Sequence, residues 1–227
     1  MRLPHSAFHL FVLVVLATST AAGLQTSQTP PFVPGEVIVK FSEGSKAGAI
    51  LARAAQGNWK TDACLASYLS ALSQELGIPL KAKQLTSGGE LVLTIQTREL
   101  TAKLVSRIKQ NPRVVRTEES KAEEKGIVAA PRSEVLVEFA KGSHEAGVIA
   151  RVRAQGLDTS SSLQEFMGEV ERDLGFKLQS RTTKNHRLVV IIKVDSLTLE
   201  LVARLNKHAD VEYAQPNFVL QKFSRHI

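Results

Sequence analysis

One cysteine, Cys64, in 227 residues excludes an intrachain disulfide and leaves no Cys-rich zinc module to build. Aromatic residues are scarce too, with one Trp, two Tyr and nine Phe. Motifs that announce chemistry are missing: there is no Gly-x-Ser-x-Gly elbow, P-loop, His-Glu-x-x-His or Gly-x-Gly-x-x-Gly. Of six histidines, His5 and His9 fall in the first ten residues, and His144, His186, His208 and His226 have no second His or Cys at ligand spacing. The acid pairs Glu118-Glu119, Glu123-Glu124 and Glu169 with Glu171 read as solvated surface. Neither enzyme chemistry, a metal nor any cofactor is expected.

Charge of one sign is not concentrated anywhere. The net charge is +7, with 14 basic and 10 acidic residues in 33–125 and 14 and 12 in 126–227. Without a basic block, a solvated surface is the expectation and nucleic acid is not an expected partner.

Long apolar runs are also lacking, save one short one. Arg2 and His5 precede Phe8 to Ala17, and the small residues Thr18 to Ala22 follow. This is the form of an export signal over 1–22, cut after Ala21 or Ala22. A membrane anchor needs ~20 apolar residues, so no membrane association is expected beyond the export signal. A secreted or periplasmic location follows as the expectation.

What the chain does hold is itself, twice, at a spacing of 97–99 residues. Glu36-Val37-Ile38-Val39-Lys40-Phe41 is echoed by Glu134-Val135-Leu136-Val137-Glu138-Phe139. Leu76-Gly77 matches Leu174-Gly175, the run Leu91 to Ile95 matches Leu188 to Ile192, and Leu100, Leu104 and Ile108 match Leu197, Leu201 and Leu205. A period this long is a domain length, so the pattern reads as a tandem duplication. It sets a leader at 23–32, a first unit at 33–120, a linker at 121–132, a second unit at 133–223 and a tail at 224–227.

Within each unit, period-two alternation around Val37, Val39 and Phe41 predicts a strand. A short helix reaches Gly57 or Gly156. A longer one follows, with Leu163, Phe166, Met167, Val170 and Leu174 on one face and Leu65, Tyr68, Leu69, Leu72 and Leu76 in the same places. Phe166 and Met167 are therefore expected in the core. Cys64, whose counterpart is Ser162, is expected to be a tolerated small residue, and Ser162 with Glu165 has capping-box spacing. Gly77 and Gly175 suit helix ends. Strands are predicted around 80–84 and 178–181 and around 90–96 and 187–194, joined by turns at Ser87-Gly88-Gly89 and Thr183-Lys184-Asn185. A second helix ends near Asn111-Pro112 or Ala209-Asp210, and Val114-Val115 and Val211 open the last strand. Strand, helix, strand, strand, helix, strand is an α+β plan: two tandem ferredoxin-like (split βαβ) domains, antiparallel sheets with helices on one face. RNA-recognition domains share that plan but stack bases on central aromatics, and here Leu91 to Ile95 and Leu188 to Ile192 are aliphatic.

Two stretches carry a family resemblance. Val33-Pro34-Gly35-Glu36-Val37-Ile38-Val39-Lys40-Phe41 resembles the opening of the propeptide domains of subtilisin-type serine proteases. Ala209-Asp210-Val211-Glu212-Tyr213-Ala214-Gln215-Pro216-Asn217-Phe218 is similar to their last strand. The resemblance implies a protein that inhibits a subtilisin-like serine protease through the second unit and its C-terminal end, with a folding-chaperone role as a further expectation. It also implies that Leu220, Gln221, Lys222 and Phe223 lie in the protease cleft, with Phe223 in the primary pocket and Leu220 in the fourth. Gln215 or Asn217 would cap helix N-termini on the protease surface. The chain departs from the family in carrying two units and no Asp, His and Ser motifs of a catalytic domain. The alternatives are an extracytoplasmic interaction or scaffold module that keeps the fold without inhibition, and a propeptide separated from a longer precursor.

Overall fold

The computed structural model describes residues 30–120, 132–154, 161–183, 185 and 187–219. In chain order the elements are β1 (Phe32–Phe41), α1 (Lys46–Ala55), α2 (Ala63–Leu76), β2 (Leu80–Leu85), β3 (Leu91–Ile95), α3 (Thr97–Lys109) and β4 (Val114–Ser120). The series then repeats as β5 (Arg132–Phe139), α4 (His144–Ala154), α5 (Ser161–Leu174), β6 (Gln179–Thr182), β7 (Leu188–Lys193), α6 (Val194–Leu205) and β8 (Val211–Phe218). A short 3₁₀ turn, Trp59–Thr61, precedes α2. No helix among the described residues is long and apolar enough to cross a membrane.

Local chemistry explains where these elements start and stop. Asp62 accepts the Leu65 amide at 2.8 Å and so opens α2. Gly77 and Gly175 end α2 and α5 with φ of 70° and 79°, a left-handed backbone that glycine adopts without a Cβ penalty. The two hairpins close alike, through Thr86 N–H to Glu90 O and Thr183 N–H to Arg187 O, both 2.8 Å.

The eight strands form two antiparallel four-stranded sheets, in the orders β2-β3-β1-β8 and β4-β5-β7-β6. With six helices this is an α+β protein, compatible with two ferredoxin-like bodies. The sheets are not closed by their own repeats, however. β8, the last strand of the second repeat, pairs with β1, with Ile38 opposite Gln215 and Val39 opposite Ala214. β4, the last strand of the first repeat, pairs with β5, with Thr117 opposite Val137. The preceding helices go with their strands: α6 lies on β1 and β8, and α3 lies on β4, β5 and α5. Matched backbone bonds secure both transfers, Ser42 N–H to Asp210 O at 2.9 Å and Ala140 N–H to Arg113 O at 2.8 Å.

The expectation that each of 33–120 and 133–223 folds its own sheet is therefore corrected: the repeats exchange their helix-strand ends. A sequence period marks equivalent elements and is blind to which copy of a strand fills an edge. The stretch read as a linker joins β4 to β5, neighbours in one sheet, and residues 121–131 themselves lie outside the described residues. The chain passes between sheets at Gln96 and again where Lys193 runs into Val194.

Each sheet buries one face under its helices. Val37, Val39 and Phe41 join Leu91, Leu93 and Ile95 in one, and Val135, Val137 and Phe139 join Leu188, Val190 and Ile192 in the other. Phe166 and Met167 are buried in this core, as expected. Edge-to-face pairs, Phe41 with Tyr68 at 5.7 Å and Phe139 with Phe166 at 5.2 Å, occupy equivalent places.

Candidate functional site

The site residues expected from the sequence lie on β8 or beyond it. Only Gln215 and Asn217 fall within the described residues; Leu220, Gln221, Lys222 and Phe223 lie outside them. β8 is an edge strand, and its last residues run beside the start of β1, with Phe218 opposite Phe32. The Val219 amide then donates to Pro31 O at 2.9 Å, and its side chain is exposed.

Side chains of the first repeat hold this strand along its length. Tyr68 on α2 donates to Asp210 Oδ2 at 3.1 Å, just before the strand begins. Lys40 faces Glu212 at 3.5 Å. Tyr213 donates to Glu90 Oε1 at 2.7 Å, and Asn217 Nδ2 to Glu36 Oε2 at 2.8 Å. Glu36 is itself buried and also takes Lys83 Nζ at 2.5 Å. Gln215, by contrast, is exposed on the face of the sheet that the helices leave open, and Asn217 is already engaged by Glu36.

Electrostatics follows the same contacts. Hydrogen bonds from Thr86 and Tyr213 hold the Glu90 carboxyl below the usual range, and the Glu90 carboxylate in return raises the Tyr213 phenol. Burial, with Asp210 beside it, raises Tyr68. Both tyrosines stay neutral donors at ordinary pH.

The outer edge of β8 is closed to a further strand at its middle. Asn206 spans the Ala214 peptide groups, accepting from the amide at 2.7 Å and donating to the carbonyl at 2.9 Å. Pro216 next along has no N–H to offer. This edge of β8 therefore offers no continuous ladder to a further strand across 214–216.

Elsewhere a groove of about 650 Å³ runs between α2 and edge strand β2, lined by Trp59, Lys60, Leu65, Leu69, Leu80 and Lys83 among others. Its Ser73 hydroxyl is committed to Leu69 O at 2.7 Å and to the Leu80 amide at 3.0 Å. Cys64 is exposed beside Arg53. Among the described residues no group of three or more His, Cys, Asp or Glu could hold a metal ion. No family model, curated protein or solved structure matches the chain.

The anchors Tyr68, Glu36 and Glu90 were not singled out from the sequence. Two of them carry a signal as residues that fail to match across the repeat, Tyr68 against Phe166 and Glu90 against Arg187, whereas Glu36 matches Glu134 and carries none.

Proposed function

We propose that this chain is an exported, non-enzymatic inhibitor of a subtilisin-like serine protease, built on two ferredoxin-like bodies and acting through the segment that β8 leads into. The observation that carries the reading is the placement of the Val-Glu-Tyr-Ala-Gln-Pro-Asn phrase, residues 211–217. It forms a tied-down edge strand whose end, at Val219, is exposed. A segment held in extended form at its root loses less entropy when it docks in a cleft. In a protease cleft it adds backbone hydrogen bonds while alternate side chains fill pockets. Phe223 and Leu220 are the apolar side chains for that role, each worth ~1.5–3 kcal/mol if fully buried. Gln215 is exposed on the open face of the sheet, and Asn217 is oriented by the donation of its Nδ2 to Glu36, which leaves its Oδ1 as the capping acceptor.

The test is a progress-curve assay of residues 23–227 against a panel of subtilisin-like proteases, beside Phe223→Ala, Leu220→Ala and a chain ending at Val219. Inhibition that depends on the active site and disappears with the truncation supports the proposal. Equal inhibition by truncated and full chains removes the tail mechanism. No inhibition by the full chain, with capture of a non-protease partner from culture medium, replaces the reading with an extracytoplasmic interaction module.

A further inference from the structure

We infer that the first repeat, not the second, presents the protease-binding segment: its sheet supplies the positioning residues for a strand that the second repeat only donates. This rests on the proposed function above. Four side-chain-to-side-chain ties from β8 or its entry reach into the first repeat, to Tyr68, Lys40, Glu90 and Glu36. The whole backbone ladder of β8 is with β1. The second repeat contributes α6, the chain entering β8, and Asn206, which plugs the strand's free edge. Its own sheet is closed instead by β4, whose Glu118 takes Arg187 at 3.2 Å. Glu90 and Arg187 are equivalent positions in the two repeats, and each ties down the strand received from the other copy.

That equivalence sets the experiment. In the mature full-length chain, Glu90→Ala frees Tyr213 from its sheet, and Arg187→Ala frees Glu118 from the other. Each variant is followed by hydrogen exchange and by inhibition of a subtilisin-like protease. Glu90→Ala is expected to speed exchange in 211–218 and to weaken inhibition about tenfold, through faster dissociation. Arg187→Ala is expected to speed exchange in 114–120 and leave inhibition within twofold. A Phe32→Cys, Phe218→Cys disulfide, at a register pair that makes none of these ties and in a Cys64→Ser background, pins β8 to β1 and should keep inhibition intact. Pinning that abolishes inhibition, or a loss with Arg187→Ala that Glu90→Ala does not share, overturns the inference while leaving an inhibitor. If the unaltered chain inhibits none of the panel, the proposed function itself is overturned. The exchange measurements still report which sheet holds β8.

Discussion

Arg116 of β4 stands directly opposite Glu138 of β5, at the position where the first repeat carries Lys40. Had each repeat kept its own last strand, Arg116 would face Lys40, and Glu138 would face the neighbourhood of Glu212. As built, Arg116 stands opposite Glu138 in register while its guanidinium pairs with Glu118. Glu138 pairs with Arg187 at 3.2 Å, and Lys40 meets Glu212 at 3.5 Å. The turns before these strands repeat the logic. Arg113 reaches the buried Glu145 on α4 at 2.5 Å, whereas its equivalent, Asp210, bonds Tyr68. Without exchange, Asp210 would be brought to Glu145. Opposite charges across a ladder contribute roughly 0.2–1 kcal/mol and like charges oppose by similar amounts, so several such pairs together select one pairing over the other.

This selection is checked by a charge cycle at the opening pair. Glu138→Lys places two cations opposite each other and is expected to cost about 0.5–1 kcal/mol more than Glu138→Gln. Adding Arg116→Glu should restore part of the loss, the rest being the Glu138–Arg187 and Arg116–Glu118 ion pairs that the double variant lacks. Urea unfolding of the three variants measures it, and additive losses in the double variant would contradict a direct interaction.

Cutting the chain in 121–131 tests the exchange as a whole. Two independent domains on a linker would separate after the cut. Here the cut opens the connection between β4 and β5, and the fragments remain interlocked through α3–β4 and α6–β8. A chain of residues 23–227 with an engineered cleavage site in that stretch is expected to elute at unchanged size after cleavage, and to fall apart only in denaturant. Elution as two smaller species under native conditions would contradict the exchanged sheets.

Much of this architecture was legible in the sequence because it is local. The alternation through Val37, Val39 and Phe41, the apolar stripe of Leu65 to Leu76 and the stops at Gly77 and Gly175 are each set within one element and its flanks. The exchange is not local. Apolar positions such as Leu104 and Leu201 are interchangeable between the two cores, so hydrophobic periodicity cannot say which copy of a helix lies on which sheet. Only the charged mismatches carry that information: Lys40 against Glu138, Glu90 against Arg187, Arg113 against Asp210. The same limit applied to the site. The Val-Glu-Tyr-Ala-Gln-Pro-Asn phrase marked the strand, while its anchors are distant in sequence, Asn217 and Glu36 being 181 residues apart.

Leu201→Ala offers a further check that crosses the repeat boundary. Leu201 is fully buried on α6, which lies on β1. Its truncation is expected to cost about 2–5 kcal/mol. Native-state hydrogen exchange should then show the protection of β1 and β3 falling more than that of β5. Preferential loss in β5 would place α6 on its own repeat's sheet.

Opposite ends of the pH scale should loosen different ties. Burial raises the Glu145 carboxyl, but the Arg113 hydrogen bond and charge outweigh it and hold it below the usual range. A folded value below the unfolded one gives stability that is present above the unfolded value, ~4.3, and is lost as pH falls through the folded one. Tyr68 and Tyr213 are raised, so their contribution is complete below about pH 10 and is lost as pH climbs through their folded values. Urea midpoints against pH should fall below about pH 4 less steeply in Arg113→Ala than in the wild type. The fall above about pH 10 should be shallower in Tyr68→Phe.

Gly35 supplies the last prediction, because it sits where β1 meets the borrowed helix. Its φ of 83° lies in the left-handed region, and a Cβ there would meet Val194 Cγ1 at 3.2 Å. Its amide donates to Thr198 Oγ1 at 2.7 Å, and that hydroxyl donates in turn to Val194 O at 2.6 Å. Thr198 is completely buried. Thr198→Val keeps the shape but leaves the Gly35 amide without its acceptor, at an expected cost of about 1–3 kcal/mol. Gly35→Ala adds backbone strain of order 1 kcal/mol or more to the contact with Val194. Both changes lie at the seam between a strand of the first repeat and a helix of the second, so they should be strongly non-additive in a double variant. Additivity within experimental error would place Gly35 and Thr198 in separate folding units, contrary to a shared sheet.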